Sequence, residues 1–234
     1  MDFTDLDALY REYFCLRKNA PSRTSRGKKY FVGHDGIPST RGHSNRREEH
    51  SAIALVNLQH HWKYPPGGGF RFLDYQVSLR TQQTDTGVGK VDIVGIRDDG
   101  RLILTELKVE SKQSRSSDTP FSALLQGLRY AAIVEKNLEV IAHEAKGCFG
   151  VEVKQLPPIV QLLATVEWWQ QQSFDFTAPG KSQERFASLV DGIENKTGVC
   201  VECQAFDCLK ISIGSGGKKP RLDPKPNLEA VPLR

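Results

Sequence analysis

Apolar residues recur along this chain with two different periods, and the switches between them lay out most of the predicted elements. Leu6, Leu9, Tyr10, Tyr13 and Phe14 fall at helical spacing, which predicts a helix over residues 2–18. A second helix is predicted over 46–61, where Asn45 suits an N-cap and Glu48, three positions on, suits a capping box. Residues 70–80 are aromatic and β-branched and predict a strand. Two further strands, 90–96 and 102–109, are joined by Asp98-Asp99-Gly100, a strong hairpin signal. Thr119 then caps a helix whose first turn takes Pro120 and which runs to about Lys136. A buried-type strand at 159–166, a helix at 183–195 and a strand at 199–206 follow. The order helix, three strands, helix, strand, helix, strand predicts an α/β fold, a central mixed sheet flanked by helices.

The intervening segments are polar. Residues 20–45 are rich in Ser, Gly, Pro and positive charge (Arg23, Arg26, Lys28, Lys29, Arg41), with Asp35 their one acid. Such a composition suits a solvated basic loop or an arm that orders on a phosphate backbone. A turn is predicted at 65–69 and polar loops at 82–89 and 111–118, the second carrying Lys112 and Arg115. From 214 onward Gly, Lys and Pro dominate. The expected organisation is one domain over 1–213, a basic arm at 20–45, and an extended or disordered tail at 214–234.

A chain of 234 residues with formal charge +4 buries a core without needing disulfides and accepts a polyanionic partner without requiring one. Five cysteines, no secretory pattern and no apolar run of about 20 residues lead us to expect a soluble, cytoplasmic protein in a reducing compartment, with no membrane partner. A homo-oligomer is compatible with the sequence.

The chemistry concentrates between Gly89 and Tyr130. On a strand, Glu106 and Lys108 project to one side while Leu107 points to the other. Asp92, on the other arm of the hairpin, comes within a metal ion's reach of Glu106. Two carboxylates held together repel unless a cation lies between them. Hard oxygen ligands select Mg²⁺ or Mn²⁺, and such an ion activates water and neutralises charge on a phosphate. Lys108 adds a positive charge for the transition state, and the Leu107 carbonyl is a further candidate ligand. Upstream, a capping role for Glu48 leaves Glu49 to face inward beside Ile53 and Val56. Both acids flank the apolar stripe, so the carboxylate left to face inward is Glu49 or Glu48, with Glu49 preferred. Taken alone, Glu106-x-Lys108 is equally the signature of a cross-strand ion pair on an exposed hairpin.

Asp92 followed by Glu106-x-Lys108 across a hairpin, preceded by a helix with a glutamate, resembles the PD-(D/E)xK nuclease superfamily over roughly residues 45–130. Gly89-x-x-Asp92 and Gln126-x-x-x-Tyr130 are similar to elements of its RecB-like exonuclease branch. Val91 stands where many members have proline. The resemblance implies a restriction-endonuclease-like αβββαβ core and metal-dependent cleavage of phosphodiester bonds, DNA being the expected substrate, in restriction, phage defence, repair or mobile-element processing. It further implies that Gln126 and Tyr130 lie beside the metal centre and hold substrate. Their place on the helix, roughly opposite the ridge of Phe121, Leu124, Leu128 and Ala131, equally fits solvated surface. A member of the same fold that keeps nucleic-acid binding without chemistry is the alternative. Arg23, Arg26, Lys28, Lys29, Lys112 and Arg115 are the candidate nucleic-acid contacts.

Cys200-x-x-Cys203, Cys208 and Cys15 invite comparison with RecB-like nucleases that carry an iron-sulfur cluster. The spacing between the last two cysteines is one residue short of the usual. Their strand-like interleaving with Val199, Val201, Ala205 and Phe206 favours buried structural thiols over a cluster or zinc. Trp168 and Trp169 are read as core packing in preference to base stacking.

Overall fold

Strands β1 (His61–Lys63), β2 (Gly69–Ser78), β3 (Lys90–Arg97) and β4 (Leu102–Lys108) run antiparallel to their neighbours in sequence order. The β3–β4 hairpin closes as Asp98-Asp99-Gly100 predicts. Arg97 N–H donates to Arg101 O at 3.0 Å, and Gly100 takes φ 88°, a conformation suited to glycine. This computed structural model describes residues 6–38, 47–63, 68–82, 85, 88–110, 119–212 and 219–233. The Asn45 cap, the arm beyond residue 38, and Lys112 and Arg115 lie outside the described residues.

Beyond the hairpin the sheet turns parallel. β4 pairs with β5 (Ile159–Thr165), and β5 with β6 (Cys200–Phe206). Parallel neighbours need long crossovers. The first is made by α3 (Pro120–Lys136) and α4 (Leu138–Phe149), the second by α5 (Val166–Gln171) and α6 (Lys181–Thr197), whereas α1 (Leu6–Asn19) and α2 (Arg47–Asn57) precede the sheet. Thr119 caps α3 as expected, its side chain accepting from Ser122 N–H at 3.1 Å. β7 (Ile211–Ser212) and β8 (Arg221–Leu222) form a separate ribbon. Residues 228–230, read from the sequence as part of an extended or disordered tail, form β9 (Leu228–Ala230), which pairs antiparallel with β6. Among the described residues the sheet order is β1-β2-β3-β4-β5-β6-β9.

Both faces of the sheet are covered, which is why β4 and β5 are buried at every position. Leu104, Val160 and Leu162 face one core, shared with Tyr13, Leu124, Ala131, Ile141 and Ile193 of α1, α3, α4 and α6. Ile103, Leu107, Ile159 and Leu163 face a second core against Ala52, Ile53 and Leu55 of α2. Gly127 lets α3 lie close on β5, because a Cβ there would stand 2.4 Å from Val160 Cγ1. Trp168 and Trp169 belong to α5 and are buried, with Trp169 Nε1 donating to Gln204 O at 3.0 Å. Among the described residues no helix is long and apolar enough to cross a membrane.

Candidate functional site

The pairing pattern brings the end of β2, the start of β3 and the ends of β4, β5 and β6 to one edge of the sheet. Ser78 pairs with Lys90, Lys108 with Ala164, and Ala164 with Ala205. On β4, Leu107 turns into the α2 core while Glu106 and Lys108 share the other face. Lys108 Nζ donates to Glu106 Oε1 at 2.9 Å, and both side chains are buried. One step past the Ile93–Thr105 pair, Asp92 lies opposite Glu106. Its Oδ2 accepts the Leu107 N–H at 3.0 Å, and its Oδ1 accepts from Gln76 Nε2 at 3.0 Å. Glu106 Oε2 is buried and has no hydrogen-bond partner among the described residues.

Electrostatics follow from that burial. Desolvation pushes the Asp92 carboxyl above the usual range, aided by the charge of Glu48 and opposed by the Lys108 ammonium and the two donors. Glu106 is pushed up by burial and then by Asp92, against the pull of Lys108. Burial alone would lower the Lys108 pKa. The carboxylates of Glu106, Glu48 and Asp92 outweigh it and hold the ammonium above ordinary lysine.

The upstream glutamates separate here. Glu48, not the preferred Glu49, is the one whose charge is felt at Asp92, Glu106 and Lys108, whereas the Glu49 charge acts on Tyr75. The reason is the direction in which α2 approaches. Its first turn reaches the site edge, where Arg47 binds Glu110 (2.6 Å), and Glu110 also accepts from Thr165 Oγ1 at 2.9 Å. That brace joins α2 to the ends of β4 and β5.

Tyr130 is buried, not surface. Its hydroxyl accepts from Gln126 Nε2 at 2.8 Å and feels the charges of Glu106, Asp92 and Lys108, with burial the largest influence raising its pKa. Gly89 faces it directly. The structure thus gathers Asp92, Glu106, Lys108, Glu48, Gln126, Tyr130 and Gly89.

The basic segment does not divide as the composition suggested. Arg23, in a 3-10 turn at Arg23–Arg26, is buried, donating through Nε to Lys29 O at 2.8 Å and through Nη1 to Ser78 Oγ and Arg80 O. It fastens the segment to the end of β2 and is not a phosphate contact. Arg26 donates to Gln82 Oε1 at 3.1 Å, Lys28 Nζ donates to Thr81 O, and Lys29 is exposed. All lie beside the site edge.

The thiols are spread apart. Cys203 packs in the α3 core and Cys200 against the α2 core, as residues three apart on a strand must, and Cys15 is exposed on α1. Burial raises the Cys200 pKa to about 12. Among the described residues no three His, Cys, Asp or Glu side chains are placed to hold a metal. Asp92 and Glu106 supply two oxygen donors, and the unpartnered Glu106 Oε2 and the repulsion between the two carboxyls suit a hard divalent cation held through few carboxylates.

Gln76 and the Arg47–Glu110–Thr165 brace escape sequence reasoning, since nothing in the local pattern links residues so far apart. No protein-family profile, curated protein or solved structure matches the chain.

Proposed function

We propose that this chain is a divalent-metal-dependent nuclease that hydrolyses DNA phosphodiester bonds, on a PD-(D/E)xK core of restriction-endonuclease type. The element order α2, β2, β3, β4, α3, β5 supports that core, and Gly89, Gln126 and Tyr130 around the carboxylates support the RecB-like branch. One observation carries the reading: two carboxyls, the half-buried Asp92 and the buried Glu106, meet beside a buried ammonium, Lys108, with Glu106 Oε2 unpartnered among the described residues.

Asp92, Glu106 and the Leu107 carbonyl are the residues that would hold Mg²⁺ or Mn²⁺, with Glu48 in place of Glu49 as the upstream acid. When bound, the ion supplies a more acidic water and neutralises charge on the scissile phosphate. Gln76 and the Leu107 N–H fix the Asp92 carboxylate in place. Lys108 keeps its proton in a buried setting, so its charge acts on the transition state through little screening water. Tyr130, aligned by Gln126, places a hydroxyl over the same centre for a substrate oxygen. Exposed Lys29, with Arg26 and Lys28, attracts the polyanion along the edge of β2.

The test is cleavage of linear, circular and single-stranded DNA and of RNA with Mg²⁺, with Mn²⁺ and with chelator. We expect metal-dependent cleavage of DNA that is abolished by Asp92→Ala and by Lys108→Ala. Cleavage unchanged in both variants overturns the assignment. Binding to DNA with no cleavage under any condition favours the inactive binding module.

A further inference from the structure

A histidine outside the carboxylate centre is held with more control than packing alone requires. His34 lies beside the part of β2 that β1 leaves uncovered, since the β1 pairing ends at Arg71. Its Nδ1 is 2.7 Å from Asp74 Oδ1, and its ring stacks on Tyr75 with centroids 4.5 Å apart and 29° between planes. Asp74 is buried. Its Oδ1 also accepts the Tyr75 N–H at 2.9 Å, and its Oδ2 has no hydrogen-bond partner among the described residues. The His34 side chain keeps 27% of its exposure. No partner of Nε2 is found among the described residues.

A carboxylate on one ring nitrogen sets the orientation of an imidazole and leaves the other nitrogen for an outside partner. Stacking on Tyr75 removes the remaining freedom of the ring. The strand itself is irregular here, with a register shift between Phe72 and Asp74 and a φ of 50° at Gln76. Residues other than glycine rarely adopt that conformation, and such strain collects at functional positions. Two residues beyond Asp74, Gln76 donates to Asp92. A strand advances about 3.3 Å per residue, so the His34 anchor sits roughly 7 Å along β2 from the residue that positions the carboxylate centre. In the other direction along β2, Arg23 is fastened at Ser78 and Lys28 at Thr81. His34 and the basic segment therefore flank the centre along one line.

We infer that His34 is a substrate-contacting residue whose Nε2–H, aligned by Asp74, donates to a backbone phosphate next to the scissile one on a polynucleotide strand lying along β2. The inference rests on the nuclease reading. In this arrangement each ring nitrogen donates to an anion, Nδ1 to the Asp74 carboxylate and Nε2 to the phosphate.

Two substitutions separate this role from a structural one. In His34→Asn the amide takes the place of Nδ1, keeping the Asp74 bond and losing the outer donor. In His34→Gln the amide takes the place of Nε2. Steady-state cleavage of a linear DNA is compared at several salt concentrations, with melting of each variant recorded. We expect His34→Asn to raise KM about tenfold with kcat changed less than about threefold, and His34→Gln to stay nearer the wild type. The slope of log kcat/KM against log salt should become shallower by about 0.9 in His34→Asn, the value for one phosphate contact. If the wild type cleaves and His34→Asn matches it, or His34→Gln is the more damaged variant, His34 is structural and the inference is overturned alone. If the wild type neither binds nor cleaves any polynucleotide, the nuclease reading falls and takes this inference with it.

Discussion

The Tyr130 hydroxyl occupies the space that a side chain at Gly89 would need: a Cβ on residue 89 would lie 2.3 Å from the Tyr130 hydroxyl oxygen. The glycine three residues before Asp92 is thus a clearance that lets α3 lean its tyrosine over the carboxylates. A purely conformational glycine would leave Tyr130 indifferent to it.

Gly89→Ala should therefore destabilise the protein by about 1–3 kcal/mol, the usual range for overpacking, and impair cleavage by displacing Tyr130. The next atom, Tyr130 Cζ, would be 3.3 Å from the new methyl. Gly89→Ala combined with Tyr130→Phe should regain most of the stability without regaining activity. Denaturant unfolding of the four proteins in that cycle measures the coupling, and simple additivity would refute the contact.

Asp92 and Glu106 both keep their protons above the ordinary carboxylate range, chiefly through burial. In the unfolded chain they ionise near pH 4, so over the interval up to their folded values the native state binds more protons. The stability of metal-free protein attributable to them is fully present below the unfolded pKa and is lost as pH rises through the folded ones. A divalent ion needs the ionised forms, so its stabilising effect should grow over the same interval. Melting in chelator and in excess Mg²⁺ between about pH 5 and about pH 8 measures this; saturation at 100 times Kd gives about 2.7 kcal/mol. A metal-induced shift independent of pH would contradict it.

Lys108→Met should lower single-turnover cleavage by about 10²-fold or more, the scale of losing one preorganised charge at a transition state. Its effect on melting should be milder than that loss implies, because Glu106, already pushed above the usual carboxylate range by burial, holds its proton more firmly still once the ammonium is gone, so no unpaired buried anion is created. Lys108→Arg should not restore activity, since a planar guanidinium does not fit where a compact ammonium is enclosed.

Arg23 and Lys29 belong to the same basic segment, six residues apart, and have opposite expected phenotypes. Arg23→Ala removes charged donors from Lys29 O, Ser78 and Arg80 O and should cost about 1.5–3 kcal/mol of stability. Lys29→Ala should leave melting unchanged and make the salt dependence of DNA binding shallower by about 0.9. Equal melting in both variants would remove Arg23 from its structural role.

These outcomes trace which parts of the protein were legible in its residues. The β3–β4 hairpin, the shared face of Glu106 and Lys108, and the Thr119–Pro120 start of α3 rest on local spacing, and each appears where spacing puts it. Glu48 and Glu49 flank the apolar stripe of α2 about equally, so only the tilt of the helix against the sheet distinguishes them. Tyr130 has a surface reading as well as a site reading on the helical wheel, because a single apolar ridge implies that only one side of the helix is covered. In the fold α3 lies between the sheet and α1, where Glu12 meets Arg129, and both sides are covered. Arg23 was counted with the exposed charges because composition records no burial. α4 was not anticipated, since Asn137 separates it from α3 by a single residue.

β9 also bears on how this protein is made. During synthesis β6 emerges while its outer edge has no partner, and the strand that pairs with its last three residues, Gln204, Ala205 and Phe206, is translated last among the described elements. A nascent chain at that stage presents an unprotected strand edge, the kind of surface that recruits other chains into aggregates. Stopping translation just before residue 228 would leave the carboxylate centre fully encoded, yet leave the end of β6 as an open strand edge.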